Sequence, residues 1–175
     1  MKQIKANQLK EFLVQKVQEC NGTENAFANI MLVAPAPVEK HFHAIFKEIA
    51  TENADTNFCF NLPPAPVYKW KNDVLVLDLK DGKKQYGWGD EEMALLNRPN
   101  SVAIWERFNW SSDMLCNACE DIIAQRKYTS QSGKTYLLPN LKMVVVTAYP
   151  NDGQYRNVML SQDYLQQFDI YEVVE

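Results

Sequence analysis

Residues 29–41 read NIMLVAPAPVEKH, and the parsing of this stretch decides how the rest of the chain is understood. Ile30 to Val33 make an uninterrupted apolar run, the pattern of a strand buried on both faces of a parallel sheet. Past the prolines, Val38, Phe42, Ile45, Phe46 and Ile49 recur at helical spacing. The segment therefore reads as a strand over 29–34, a proline-bearing loop, and a helix, with Lys40 where the loop gives way to the helix.

Working outward, the same two periods alternate along the chain. Apolar runs at 57–62 (NFCFNL), 101–105 (SVAIW), 141–148 (LKMVVVTA) and 168–174 (FDIYEVV) read as strands. Helices are expected over 6–19, over 90–97, from Ser112 to Gln125 with a Ser-Ser-Asp start that suits capping, and from Leu160 to Gln167. Pro63, Pro64 and Pro66 end the second strand. VYKW (67–70) and VLVLDL (74–79) then read as a hairpin about Lys71-Asn72-Asp73, with a turn at Asp81-Gly82. Strands alternating with helices argue for an α/β domain with a largely parallel sheet and an inserted β-hairpin. Ligands on such sheets bind at the carboxyl ends of strands, so chemistry is expected just after residues 34, 105 and 148.

Composition sets the outer bounds. A chain of 175 residues with 46% hydrophobic and 23% charged residues suits one globular domain, here taken as 1–175. Lys and Arg number 18 against 22 Asp and Glu, a net charge of −4, which disfavours binding to nucleic acid or an anionic membrane. No apolar run approaches the ~18 residues of a membrane span, and MKQIKANQLKEF has no signal-peptide core, so a cytoplasmic location is expected. Cys20, Cys59, Cys116 and Cys119 fit reduced thiols rather than a disulfide scaffold. Only Gly22 of the six glycines falls in the first 81 residues, a handicap for any glycine-rich ligand loop.

A strand, a loop ending in lysine, and a helix make up the layout of a phosphate-binding loop. After the strand at 101–105 comes Glu106-Arg107-Phe108-Asn109. After 141–148 comes Tyr149-Pro150-Asn151, and later LSQDYLQQF at 160–168. In this order and spacing the chain resembles the AAA+ ATPases, in particular their MoxR-like branch. That branch carries G-P-P-G-x-G-K-T after its first strand, Asp-Glu with a nearby Asn after its third, Asn-Pro after its fourth, and L-S-x-x-x-x-D-R-F before its last. The resemblance implies a three-layer P-loop NTPase-like domain with a five-stranded sheet in the order 5-1-4-3-2. It covers residues 3–175, most specifically 141–175 and least over 63–89, and the family's helical lid is expected to be absent.

Carried over position by position, most of that chemistry is replaced. The loop glycines become Ala34, Pro37 and Glu39. Lys40 is kept, but its hydroxyl neighbour is His41. The acidic pair becomes Glu106-Arg107, and an arginine cannot serve as a base towards water. The sensor Asn becomes Tyr149, and the arginine of D-R-F becomes Gln167. Asn109, Pro150 and Phe168 match. The resemblance then implies a pseudo-ATPase: a non-catalytic interaction or regulatory protein with no cofactor, a vestigial nucleotide site at Lys40, His41, Glu106 and Asn109, and a protein partner, an active ATPase relative being one candidate. The alternative is a divergent ATPase that binds ATP and Mg²⁺ through loop 34–41.

Three other features have plainer readings. Lys40 reads as a solvated lysine beside Glu39 at a helix start. Gln131-Ser132-Gly133-Lys134-Thr135 imitates a second P-loop but runs from helix to strand, and reads as a hairpin turn. Cys116-x-x-Cys119 with His41-x-His43 could in principle hold a metal or serve a redox role; buried thiols packing as small hydrophobes are the expectation. The aromatic cluster Tyr86, Trp88, Trp105, Phe108 and Trp110 reads as packing within the core and the hairpin.

Overall fold

Leu141–Ala148 shows why this chain builds a layered sheet, since seven of its eight residues are buried and only Lys142 is half-exposed. Ser101–Trp105 is buried at every position. Strands with no wet face must lie inside a sheet covered on both sides. The computed structural model describes residues 1–24, 26–110 and 113–175. Its central sheet comprises β1 (Lys2–Lys5), β2 (Ala28–Val33), β3 (Asn57–Phe60), β4 (Ser101–Trp105), β5 (Leu141–Ala148) and β6 (Asp169–Val174). All pairings are parallel and the spatial order is β1-β6-β2-β5-β4-β3.

The sheet thus has six strands where five were expected. The five expected strands, β2 to β6, lie in the order 5-1-4-3-2, and β1 adds an outer edge by pairing Ile4 with Val173.

Side chains alternate across the sheet and divide the interior in two. Ile30, Leu32, Val102, Ile104, Met143 and Val145 pack under α1 (Leu9–Asn21) and over the apolar stripe Phe42, Phe46 and Ile49. Met31, Ala103, Trp105, Val144 and Val146 face the other way, against α4 (Asp90–Leu96) and α5 (Asp113–Gln125). The result is an α/β/α sandwich. The Ser-Ser part of the expected α5 cap lies outside the described residues.

Between β2 and β3 the chain makes two helices, not one: α2 (Ala36–Glu39) and α3 (Phe42–Glu52). The helix expected over 160–167 is a single turn, α6 (Gln162–Leu165), started by a Ser161 hydroxyl that accepts from Tyr164 N. The excursion after β3 holds three separate antiparallel ladders, 65–66 with 86–87, 68–71 with 74–77, and 79–80 with 83–84. Residues 127–129 pair with 135–137, and Gly133 at φ 85 makes the turn, as the hairpin reading of 131–135 requires. No helix is long and apolar enough to cross a membrane among the described residues.

Candidate functional site

The chain reverses direction in the sheet around β2, whose neighbours are β5 and β6, so the carboxyl ends of β2 and β5 flank the switch point. Loop 34–41 sits there, and it is closed. Pro35 is the N-cap of α2 and Pro37 lies in its first turn, where a fixed φ favours helix and a missing N–H costs nothing. Each of the other six residues has its backbone N–H committed. Ala34 N donates to Ala148 O, Val38 N and Glu39 N to Pro35 O, Lys40 N to Ala36 O, and His41 N to Val38 O. Ala36 N donates to the Tyr155 hydroxyl at 2.9 Å. A phosphate nest needs successive N–H groups aimed outward at an anion. Here they are spent inside the fold.

The loop also buries a carboxylate. Glu39 is only 3% exposed. Its Oε2 lies 3.4 Å from Arg107 Nε and accepts from the Tyr149 hydroxyl at 3.5 Å, while Oε1 accepts from Thr147 Oγ1 at 3.5 Å. The same Thr147 oxygen accepts from Arg107 N at 2.7 Å, which holds Arg107 over the end of β5. Burial, and then the Glu39 carboxylate, push the Tyr149 phenol up, so its proton stays available to the carboxylate. Tyr155 stacks on Tyr149 with ring centroids 4.4 Å apart. The cluster is an anion site whose anion is supplied by the protein itself.

Glu106 is engaged in a second group beside it. Its Oε2 meets His43 Nδ1 and Asn61 Nδ2, each at 2.7 Å, and its backbone N donates to Asn61 Oδ1 at 2.7 Å. The next residue, Arg107, has φ 56, so the chain swings sharply enough for neighbouring side chains to serve different clusters. His43 stays 52% exposed and sits edge-on to Phe60. A carboxylate that orients an imidazole is half of a general-base arrangement. Among the described residues no hydroxyl or thiol is hydrogen-bonded to that ring.

The four expected site residues are not brought together as one nucleotide site. Lys40 is exposed, and among the described residues nothing engages its ammonium. His41 is the exposed N-cap residue of α3. Asn109 is buried and clamps the end of β5, donating to Tyr149 O at 2.9 Å and accepting from Tyr149 N at 3.0 Å. It is a strut between strand ends. Glu106 follows β4 at the carboxyl edge of the sheet, its carboxylate turned towards His43 and Asn61. The residues present do not fit ATP and Mg²⁺: the loop's backbone N–H groups are bonded within the fold, and the loop buries a carboxylate, Glu39. Asn61, Thr147 and Tyr155 carry no signal in the sequence reading, and His43 figures there only as a possible metal ligand. Their hydrogen-bond partners in the two clusters lie 40 to 119 residues away in the chain, beyond any local spacing signal.

The cysteines and the aromatic cluster differ in burial. All four cysteines are buried and free, and no group of three or more His, Cys, Asp or Glu that could hold a metal occurs among the described residues. Of the aromatic cluster, Trp88, Trp105 and Phe108 are core, Tyr86 is half-buried and Trp110 is exposed. No family model matches this chain, and no curated protein matches it.

Proposed function

We propose that the chain is a non-catalytic protein of P-loop NTPase-like, AAA+-related architecture, a pseudo-ATPase that works by protein contact in an interaction or regulatory role. The observation that carries this reading is Glu39: the loop that would have to hold nucleotide phosphates buries a carboxylate of its own, held by Arg107, Thr147 and Tyr149. The parallel order 5-1-4-3-2 of β2 to β6 and the position of the cluster at the switch point support the architectural part. The replacement of a water-activating carboxylate by Arg107 supports the loss of hydrolysis. The alternative, a divergent ATPase, requires the loop to unwind its helical turn and expel Glu39 before a triphosphate could enter.

Thermal unfolding with millimolar Mg-ATP tests the reading. No change in Tm is expected. A ligand at about 100 times its Kd stabilises by roughly 2.7 kcal/mol, which for a domain of this size is roughly 5–10 °C. A rise of that size with ATP, absent with equal phosphate and lost in Lys40→Ala, would overturn the proposal in favour of the alternative.

A further inference from the structure

The excursion between β3 and α4 is anchored to the core by Trp88, but it adds no strand to the central sheet and no residue to the Glu39 cluster. Its middle ladder pairs Tyr68 with Leu77 and Trp70 with Leu75 on one face, and Lys69 with Val76 and Lys71 with Val74 on the other. Asn72 and Asp73 make the two-residue turn with φ 49 and 59, the geometry of a tight hairpin. Among the described residues neither strand has a second neighbour. Tyr68, Trp70, Val74, Leu75 and Leu79 are exposed at 53, 74, 59, 52 and 50%, so five of the twelve large exposed hydrophobics among the described residues lie within twelve residues. An isolated two-stranded hairpin is marginal in water, and such an apolar concentration marks a surface that is covered in use.

We infer that hairpin 68–77 is a docking site for a partner protein segment in extended conformation, one whose apolar side chains alternate with carboxylates. This deepens the reading of the chain as an interaction protein and does not depend on the closed loop. A strand added along the free edge continues the alternation already present: its apolar side chains would line the Tyr68 and Trp70 face, and its carboxylates the Lys69 and Lys71 face. Charge points the same way. Segment 63–89 carries Lys69, Lys71, Lys80, Lys83 and Lys84 against Asp73, Asp78 and Asp81, so 5 − 3 = +2 on a chain of net −4. Lysine on a bare edge also repels unsuitable strands, so the edge selects for acid. A two-fold contact of hairpin with hairpin would bring two sets of these lysines together. Single-stranded nucleic acid fits poorly, because the rings and the cations Lys69 and Lys71 lie on opposite faces and Val74, Leu75 and Leu79 offer nothing to stack on.

The probe is a fluorescent twelve-residue peptide alternating Leu with Glu, with a Leu–Lys peptide and oligo-dT as comparators. The full-length chain is expected to bind the Leu–Glu peptide alone, about tenfold or more weaker after Trp70→Ser, an exposed change whose fold is checked by circular dichroism. Lys69 already pairs with Asp78 at 3.3 Å, so charge reversal is placed at Lys71. Lys71→Glu should weaken the Leu–Glu peptide and admit the Leu–Lys one. Equal binding of both peptides, or Trp70-dependent binding of oligo-dT, overturns the inference. So does a concentration-dependent dimer abolished by Trp70→Ser, which would assign the face to a second copy. Leu–Glu binding that survives Trp70→Ser removes the hairpin while leaving the interaction reading intact.

Discussion

Glu39 and Arg107 meet at the carboxyl edge of the sheet with Oε2 3.4 Å from Nε, the acid 3% exposed and the guanidinium 50%. The asymmetry sets the energetics. Water solvates Arg107 whether or not Glu39 is present, whereas Glu39 depends on its protein donors.

Removing the two partners should therefore have unequal effects. Arg107→Met keeps the aliphatic stem but leaves the carboxylate with only two weak hydroxyl donors, and should cost about 1–3 kcal/mol. Glu39→Gln retains an acceptor for Thr147 and should cost less. The double variant Glu39→Gln/Arg107→Met removes the buried charge altogether and should recover most of the loss. Urea midpoints of the four proteins check this. A double variant as unstable as the sum of the singles would mean that the pair is not coupled.

Gly87 is fixed by the Tyr128 hydroxyl, which accepts from Trp88 N at 3.1 Å and lies where a Cβ on residue 87 would go. Gly87→Ala must push that ring aside and strand a buried N–H, at a cost of about 1–3 kcal/mol. Tyr128→Phe removes the offending oxygen. In its background the Gly87 substitution should cost clearly less, as thermal unfolding of the two singles and the double would record.

The thiols predict an alkaline limit. Burial pushes Cys116 from its ordinary 9.0 up to about 12 and pushes Cys20, Cys59 and Cys119 up as well. The folded chain thus holds these protons more tightly than the unfolded chain does. The stability they contribute is whole below pH 9 and falls as pH rises towards the folded value, by about 1.4 kcal/mol per pH unit for each thiol ionised only when unfolded. Urea midpoints should fall between pH 9 and 11, less steeply in Cys116→Ala. Native protein at pH 7.5 should react slowly with a thiol reagent, and unfolded protein should release all four thiols.

What was legible in the sequence follows from burial. β4 and β5 match their apolar runs because both faces are covered, so every position carries the signal. β1 was invisible: LysGlnIleLys holds one apolar residue, and its strand state comes from pairing with β6 across nearly the whole chain. The short helix expected at 160–167 is only the single turn α6, because its apolar spacing reflects packing of Leu160, Tyr164, Leu165 and Phe168 against the α5 side rather than a continuous helix. At the loop, Pro37 and Glu39 announced that a phosphate nest was impaired. That Glu39 would turn inward and be met by Thr147 and Tyr149 depends on the β2–β5 pairing, which no local spacing encodes.

Arg126 supplies the sharpest stability test. It is 5% exposed, and its guanidinium donates to Leu141 O at 2.8 Å, Ile122 O at 3.1 Å, Ile123 O at 3.0 Å and Ala28 O at 3.1 Å. One side chain thus caps the end of α5 and ties it to the starts of β5 and β2. Burial pushes its pKa down to about 10, yet at neutral pH it remains charged and the carbonyls at the helix C-terminus favour that charge. Arg126→Ala takes the guanidinium away from Leu141 O, Ile123 O and Ala28 O, while Ile122 O keeps the backbone N–H of residue 126, and should cost more than about 3 kcal/mol, since each buried acceptor left unpaired carries a penalty of about 1–3 kcal/mol. Arg126→Lys can reach some of them from a single nitrogen and should fall between. Backbone strain separates from hydrogen bonding in a third variant, because Arg126 has φ 52. Arg126→Gly loses the same bonds as alanine but relieves the left-handed conformation, and should be about 1 kcal/mol more stable than Arg126→Ala. If chemical denaturation instead places Arg126→Ala within about 1 kcal/mol of the parent chain, the guanidinium is a passenger and the tie between α5, β2 and β5 lies elsewhere.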